Sequence, residues 1–262
     1  MAWPGGAFET RAPSPQTAVD AIPGPWASRF PPPHEDVQAG ESALFDDPKV
    51  RWGLERLGGV ADRTVVELGP LEGGHSAMAH RGGAARVVSV EANRQAFLKC
   101  LVTKELLGLE RCSFLCGDVM AYLETTGERF DVCIASGVLY HMAEPVRLLD
   151  LISRRASRLY LWTHYYDAAM IAGTPLERRI GARAVAEVAG FRHALHRHRY
   201  GVGTRLPGFW GGTKPYSNWI TRGDLLGALR HFGWRDVEVA FEEAHAHGPA
   251  LALVATRAGG DA

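Results

Sequence analysis

The run Val65-Val66-Glu67-Leu68-Gly69-Pro70-Leu71-Glu72-Gly73-Gly74-His75-Ser76 carries the densest chemistry in this chain. An apolar stretch ends in an acid and passes into a glycine-rich turn that opens a helix. Gly69 and Gly73 let the backbone approach a ligand that a Cβ would exclude. A helix starting near Gly74 points free N–H groups at an anion such as a carboxylate. Glu67 can hold an ammonium, directly or through water. The spacing is Glu-x-Gly-x-x-x-Gly-Gly, not the Gly-x-Gly-x-x-Gly that cradles a dinucleotide pyrophosphate.

Three further signals follow in order. Glu91 closes a second apolar run, where a carboxylate can accept both hydroxyls of a ribose. Gly117-Asp118 follows a third run. Asp118 can accept from an adenine amino group, and the Val119 N–H can donate to the ring. The run Phe130-Asp131-Val132-Cys133-Ile134-Ala135-Ser136-Gly137 delivers Ser136 to the crevice where open sheets bind ligands. A nucleoside cofactor with no pyrophosphate fits this set, with S-adenosylmethionine (SAM) the first candidate. The expected cofactor contacts are Glu67, Gly69, Gly73, His75, Glu91, Ala92, Asp118, Val119 and Ser136. The glycine turn taken alone also admits a nicotinamide dinucleotide and an oxidoreductase.

Methyl transfer from a sulfonium is an in-line displacement in which the cofactor brings the electrophile and the protein brings alignment. Alignment can be worth about 7–11 kcal/mol, and a general base adds roughly 10²–10⁴-fold when the acceptor carries a proton. His141 lies one turn beyond the fourth apolar run, and His164 ends the fifth. Either imidazole, with an ordinary pKa of about 6.5, takes a proton near neutral pH. Asp167 is placed to orient His164. Tyr140 and Tyr165 are weaker candidates. The competing reading of His141 is a buried hydrogen-bonder that shapes its loop. His193, His196, His198, His245 and His247 raise the question of a metal, but acidic or cysteine partners at ligand spacing are missing, so no metal is expected.

These residues require a parallel sheet beneath them. Apolar runs at residues 64–68, 86–90, 112–116, 131–135 and 157–163 alternate with helical periods, which predicts an α/β fold with helices on both faces. A helix over 47–57 precedes the first strand, with Asp47 as its cap and Pro48 in its first position. Residues 165–220 break the rhythm and read as a substrate-binding cap inserted after strand five. Within it, residues 176–190 look helical. Its aromatics are Phe191, Tyr200, Phe209, Trp210, Tyr216 and Trp219, and its basic cluster is Arg192, Arg197, Arg199 and Arg205. A helix capped by Thr221 and strands at 236–241 and 250–255 complete a seven-stranded sheet. Residues 1–33, rich in Pro, Gly, Ala and Ser, read as a flexible arm. The alternative is that Trp26 and Phe30 fold back over the site. Residues 34–262 then form one domain.

The 29 basic and 29 acidic residues cancel, so no global field draws in nucleic acid. Cys100, Cys112, Cys116 and Cys133 lack paired spacing and read as buried free thiols of a reducing compartment. There is no secretory pattern and no long apolar span. The expectation is a cytoplasmic enzyme with a small-molecule partner, no membrane, and a homodimer compatible with its size.

From about residue 50 to 257 the chain resembles class I SAM-dependent methyltransferases, with a Rossmann-like sheet. The cofactor motifs over residues 64–136 carry the resemblance, at Glu67, Gly69, Gly73, Glu91, Asp118 and Ser136. Pro70 and Leu71 stand where that family often has small polar residues, which implies fewer side-chain hydrogen bonds to SAM. The run Ser136-Gly137-Val138-Leu139-Tyr140-His141 is also similar to the corresponding segment of tRNA-uridine carboxymethyltransferases. The resemblance implies methyl transfer to a small organic acceptor at O, N or C, in specialised metabolism, with a tRNA-modifying enzyme as the alternative.

Overall fold

The computed structural model describes residues 8–200 and 211–257. The chain begins with the short helix α1 (Pro15–Asp20) and reaches helix α2 (Pro48–Arg56). Four strand–helix repeats and a fifth strand follow: β1 (Thr64–Leu68), α3 (Gly74–Arg81), β2 (Arg86–Glu91), α4 (Arg94–Leu107), β3 (Cys112–Cys116), α5 (Val119–Thr125), β4 (Phe130–Ser136), α6 (Pro145–Arg155) and β5 (Ala156–His164). The cap holds α7 (Ala168–Ile171), β6 (Ile180–Val188), β7 (Phe191–Arg199) and β8 (Tyr216–Trp219). Helix α8 (Arg222–His231), β9 (Trp234–His245) and β10 (Gly248–Arg257) close the fold.

The main sheet has seven strands in the order β3-β2-β1-β4-β5-β10-β9. Strands β1 to β5 pair in parallel, and β10 runs antiparallel between β5 and β9. Alternation along each strand divides the core in two. Val66, Leu68, Cys133, Ala135, Leu159 and Leu161 face α5, α6 and α8. Val65, Val132, Ile134 and Tyr160 face α2, α3, α4 and the N-terminal segment. The parallel order brings the carboxyl ends of β1, β2, β3, β4 and β5 to one edge, where ligands of open sheets bind.

Residues 8–33 are not a loose arm, and residues 1–7 lie outside the described part. Helix α1 is closed by a reciprocal capping box between Ser14 and Thr17. Trp26, Phe30 and Phe45 are buried, with Phe30 lying 5.4 Å from each of the other two rings. Buried Glu72 accepts hydrogen bonds from the amides of Ala27 and Ser28 and pairs with Lys99 at 2.9 Å. Composition missed this because a few aromatic anchors and one distant carboxylate order the segment, not its average polarity.

The cap also departs from expectation. Residues 176–190 are not helical: β6, β7 and β8 form a three-stranded antiparallel sheet. The β7 partner decides the matter, since Arg183 pairs with His196, Val185 with Ala194 and Val188 with Phe191. The cap leaves and rejoins the main sheet at one place, where the Tyr166 amide donates to the Ile220 carbonyl. Cys116 is exposed on the edge strand, unlike the other three thiols.

Candidate active site

A cleft of about 1410 Å³ opens along the carboxyl edge of the sheet and under the cap. It exceeds the roughly 300–1,000 Å³ usual for one drug-sized ligand, so it has room for a cofactor and an acceptor side by side.

On the cofactor side, the turn after β1 is shaped by backbone. Gly69 has φ +63°, and a Cβ there would lie 2.8 Å from Val138 Cγ2. Leu71 also takes a left-handed φ of 56°, an uncommon conformation for a branched side chain. This conformation aims its amide at Glu91 Oε2, 3.0 Å away, while the Asn93 amide donates to Oε1 at 2.8 Å. Glu91 is thus held at the end of β2, on the cleft wall. Burial pushes its carboxyl above the usual range, against the pull of these amides. A carboxylate so desolvated gains most from new donors, as two ribose hydroxyls would be. Helix α3 starts from Gly73 with no side-chain cap, so its first amides stay open to an anion. Asp118 caps α5 through Oδ1 alone and lines the cleft beside Val119. Ala92, Ser136 and His75 line it too.

Two expected cofactor residues stand elsewhere. Glu67 is 1% exposed and does not reach the cleft. Its carboxylate accepts from the Ser76 and Ser89 hydroxyls and lies 3.6 Å from His75 Nδ1; burial raises its pKa. Gly73 acts as the left-handed N-cap of α3, beneath the cleft surface, and a Cβ there would press on Phe114.

The sequence reading missed the N-terminal wall. Ala43, Leu44 and Asp47 line the cleft. The approach is so close that a Cβ on Gly74 would lie 2.6 Å from the Leu44 carbonyl oxygen. The spacing Asp47-Pro48 announced a helix cap, and the cap is present. Nothing local announced that its carboxylate would face His75 across the cleft floor.

The side of the cleft under the cap is built of rings. Tyr140, Trp162, His164, His198 and Trp219 all line it. His164 stacks on Trp219 with centroids 5.4 Å apart and planes within 5°, and Tyr140 meets its ring edge-on at 4.6 Å. His164 Nδ1 lies 3.0 Å from the Gly248 carbonyl oxygen and 3.2 Å from that of Pro249. Two carbonyls can only accept, so Nδ1 carries the proton and Nε2 the lone pair. Burial lowers the His164 pKa to about 4, against the opposing pull of those carbonyls. Asp167 does not orient His164: it caps α7 through the Ala169 and Met170 amides, away from the cleft.

His141 joins the two halves. Its Nδ1 lies 2.9 Å from the Tyr200 hydroxyl at the end of β7. Burial, then His164 and His198, bring its pKa down to about 3. The next residues receive β8, as Met142 and Ala143 carbonyls accept from the Asn218 amide and side chain. Arg192, Arg197 and Arg199 point outward from β7, whereas Arg179 and Lys214 line the cleft; Arg205, Phe209 and Trp210 lie outside the described residues. Among the described residues, no three His, Cys, Asp or Glu side chains gather as a metal site, and His196 stacks on Tyr166 at 3.5 Å. No described helix is long and apolar enough to cross a membrane.

Residues 66–157, from β1 through the end of α6, match the family described as methyltransferase domain. Together with the sheet order, this match makes the fold similar to that of class I methyltransferases. The solved N-terminal domain of EvdMO1, in the presence of S-adenosylhomocysteine (SAH) and D-fucose, is 22% identical; the match covers 89% of this chain and 91% of that one, with a TM-score of 0.66. The 1,6-didemethyltoxoflavin-N1-methyltransferase of Burkholderia thailandensis is 18% identical over 83% and 79% of the two chains, with a TM-score of 0.53. The magnesium protoporphyrin IX methyltransferase of Synechocystis PCC 6803 is 18% identical over 80% of each, at 0.52. No curated protein matches the chain. The desolvated Glu91, the open α3 amides and the Gly69 turn are compatible with SAM, the cofactor expected from the sequence.

Proposed function

We propose that this methyltransferase places the methyl group of SAM on a hydroxyl oxygen of a small, ring-shaped organic acceptor held beneath the cap. The observation that carries this reading is His164, a residue of the cleft wall whose imidazole is held neutral with its lone pair at Nε2. Bound SAM supplies an activated methyl group. Tyr140 and Trp162, on the cleft wall, would hold a ring in line with it. His164 Nε2 would take the hydroxyl proton as the methyl's bond to sulfur gives way to one with the acceptor oxygen and SAH is left. An oxygen that gains a methyl while keeping its proton is a strong acid, so even a weakly basic imidazole suffices. His141 serves the cap through Tyr200 and lines the same cleft.

A sugar or a similar hydroxylated ring of specialised metabolism suits such walls, and the EvdMO1 domain was solved in the presence of D-fucose. The test incubates the protein with methyl-labelled SAM and a panel of deoxysugars, phenols, amines and tRNA. Methyl ethers of hydroxylated rings, with matching SAH release, are the expected products. Label appearing only on nitrogen, carbon or tRNA overturns the reading.

A further inference from the structure

We propose that the ammonium of the cofactor's methionyl end is held by Asp47, from the N-terminal segment, rather than by Glu67 at the end of β1. The carboxylate and ammonium of that end share one carbon, so the groups that receive them must be neighbours. The open amides at the start of α3 belong to Gly74 and His75, both on the cleft wall. An acid that takes the ammonium must therefore lie beside them.

Among the described residues, five acids line the cleft: Asp47, Glu91, Asp118, Glu124 and Glu144. Glu124 and Glu144 pair with Arg147. Glu91 is engaged at both oxygens by main-chain amides, and Asp118 sits two strands from α3, at the end of β3. Asp47 alone adjoins the helix start, with Oδ2 3.4 Å from His75 Nε2. Its Oδ1 accepts the Lys49 amide as the cap of α2, which leaves Oδ2 toward the cleft. Burial pulls its pKa up, but His75 and the Lys49 and Val50 amides outweigh that, so the carboxyl stays charged. Glu67, by contrast, lies behind His75, closed off by Ser76 and Ser89.

The placement makes the N-terminal segment part of the cofactor site. Glu72, inside the glycine turn, pins Ala27 and Ser28, and the Leu44 carbonyl packs on Gly74. The segment that brings Asp47 is thus fastened to the turn that receives the carboxylate. The inference concerns the cofactor alone and stands whatever the acceptor proves to be.

Asp47→Asn is the decisive variant, because asparagine caps a helix as well as aspartate and keeps α2 intact. Calorimetry compares three probes on wild type, Asp47→Asn and Glu67→Gln: SAH, its analogue lacking the α-amino group, and 5′-methylthioadenosine, which lacks the whole amino-acid end. Asp47→Asn should weaken SAH roughly ten- to hundredfold, the worth of one charge-assisted hydrogen bond, and leave the other two probes unchanged. Glu67→Gln should weaken SAH less. Unchanged SAH affinity in Asp47→Asn overturns the inference, as does an equal loss for 5′-methylthioadenosine, which would mark a general disturbance of the pocket.

Discussion

At the carboxyl ends of β1, β2 and β3 the cleft is walled by main-chain amides and carboxylates, whereas across β5 and the cap it is walled by rings. The first half presents Glu91, Asp118, Asp47 and the amides of α3, whose positions are set by turns and caps a few residues long. The second half has Tyr140, Trp162, His164, His198 and Trp219, which meet only when residues from distant parts of the chain are packed together. Fixed polar groups suit a ligand whose shape never changes, as a shared cofactor's does not. Apolar walls with neutral imidazoles suit a ligand recognised by shape and uncharged hydrogen bonds.

The sharpest way to separate the halves is His164→Ala. It should lower kcat about 10²–10⁴-fold while SAM affinity, measured by calorimetry, stays nearly unchanged; an equal loss in both would merge the halves and end the base role. Next comes the fastening of the cofactor half. Glu72→Ala leaves Lys99 buried without its partner and frees the Ala27 and Ser28 amides. Urea denaturation should show a loss of about 3–5 kcal/mol. Glu91→Ala should cost about 1.5–3 kcal/mol in SAM binding, the value of hydrogen bonds to a charged group, with little change in acceptor affinity.

Acid acts on the ring half. Burial holds His164 and His198 down to about 4, and His141 to about 3. An unfolded histidine titrates at about 6.5, so between that value and about 4 the unfolded chain binds more protons than the folded one. The stability these neutral rings contribute is full above about pH 6.5 and is lost progressively as pH falls toward 4. Thermal melts across that range should show a falling Tm, and the fall should shrink in a His198→Phe variant. The smallest effect belongs to the outer face of the cap. Arg197→Ala removes an exposed guanidinium stacked 4.2 Å from the Tyr216 ring and should change stability by under about 1 kcal/mol, with methyl transfer unaltered.

The parallel sheet was legible because burial on both faces demands short apolar runs, and the helices between them must cross over in parallel. The glycine turn was legible for a similar reason. Gly69, Glu91 and Asp118 owe their places on the cleft to strand ends, which a local pattern marks. Glu67 carried the same local signature and yet faces inward, since the serines that enclose it come from α3 and β2. Residues 176–190 misled because a spacing of Ile180, Ala184 and Val188 suits a helix face, and only pairing with β7 makes it a strand.

What the chain determined by itself was therefore the parallel sheet, the glycine turn and the acids at strand ends, since each follows from periodicity or backbone conformation within a dozen residues. What only the tertiary structure decided was which acids reach the cleft, that the N-terminal segment walls it, and that neutral rings gather under the cap. Those outcomes depend on burial and on contacts across long stretches of chain: Glu72 with Ala27, Asp47 with His75, and His164 with Gly248. The free energy of such contacts appears only once distant segments share one low-dielectric interior.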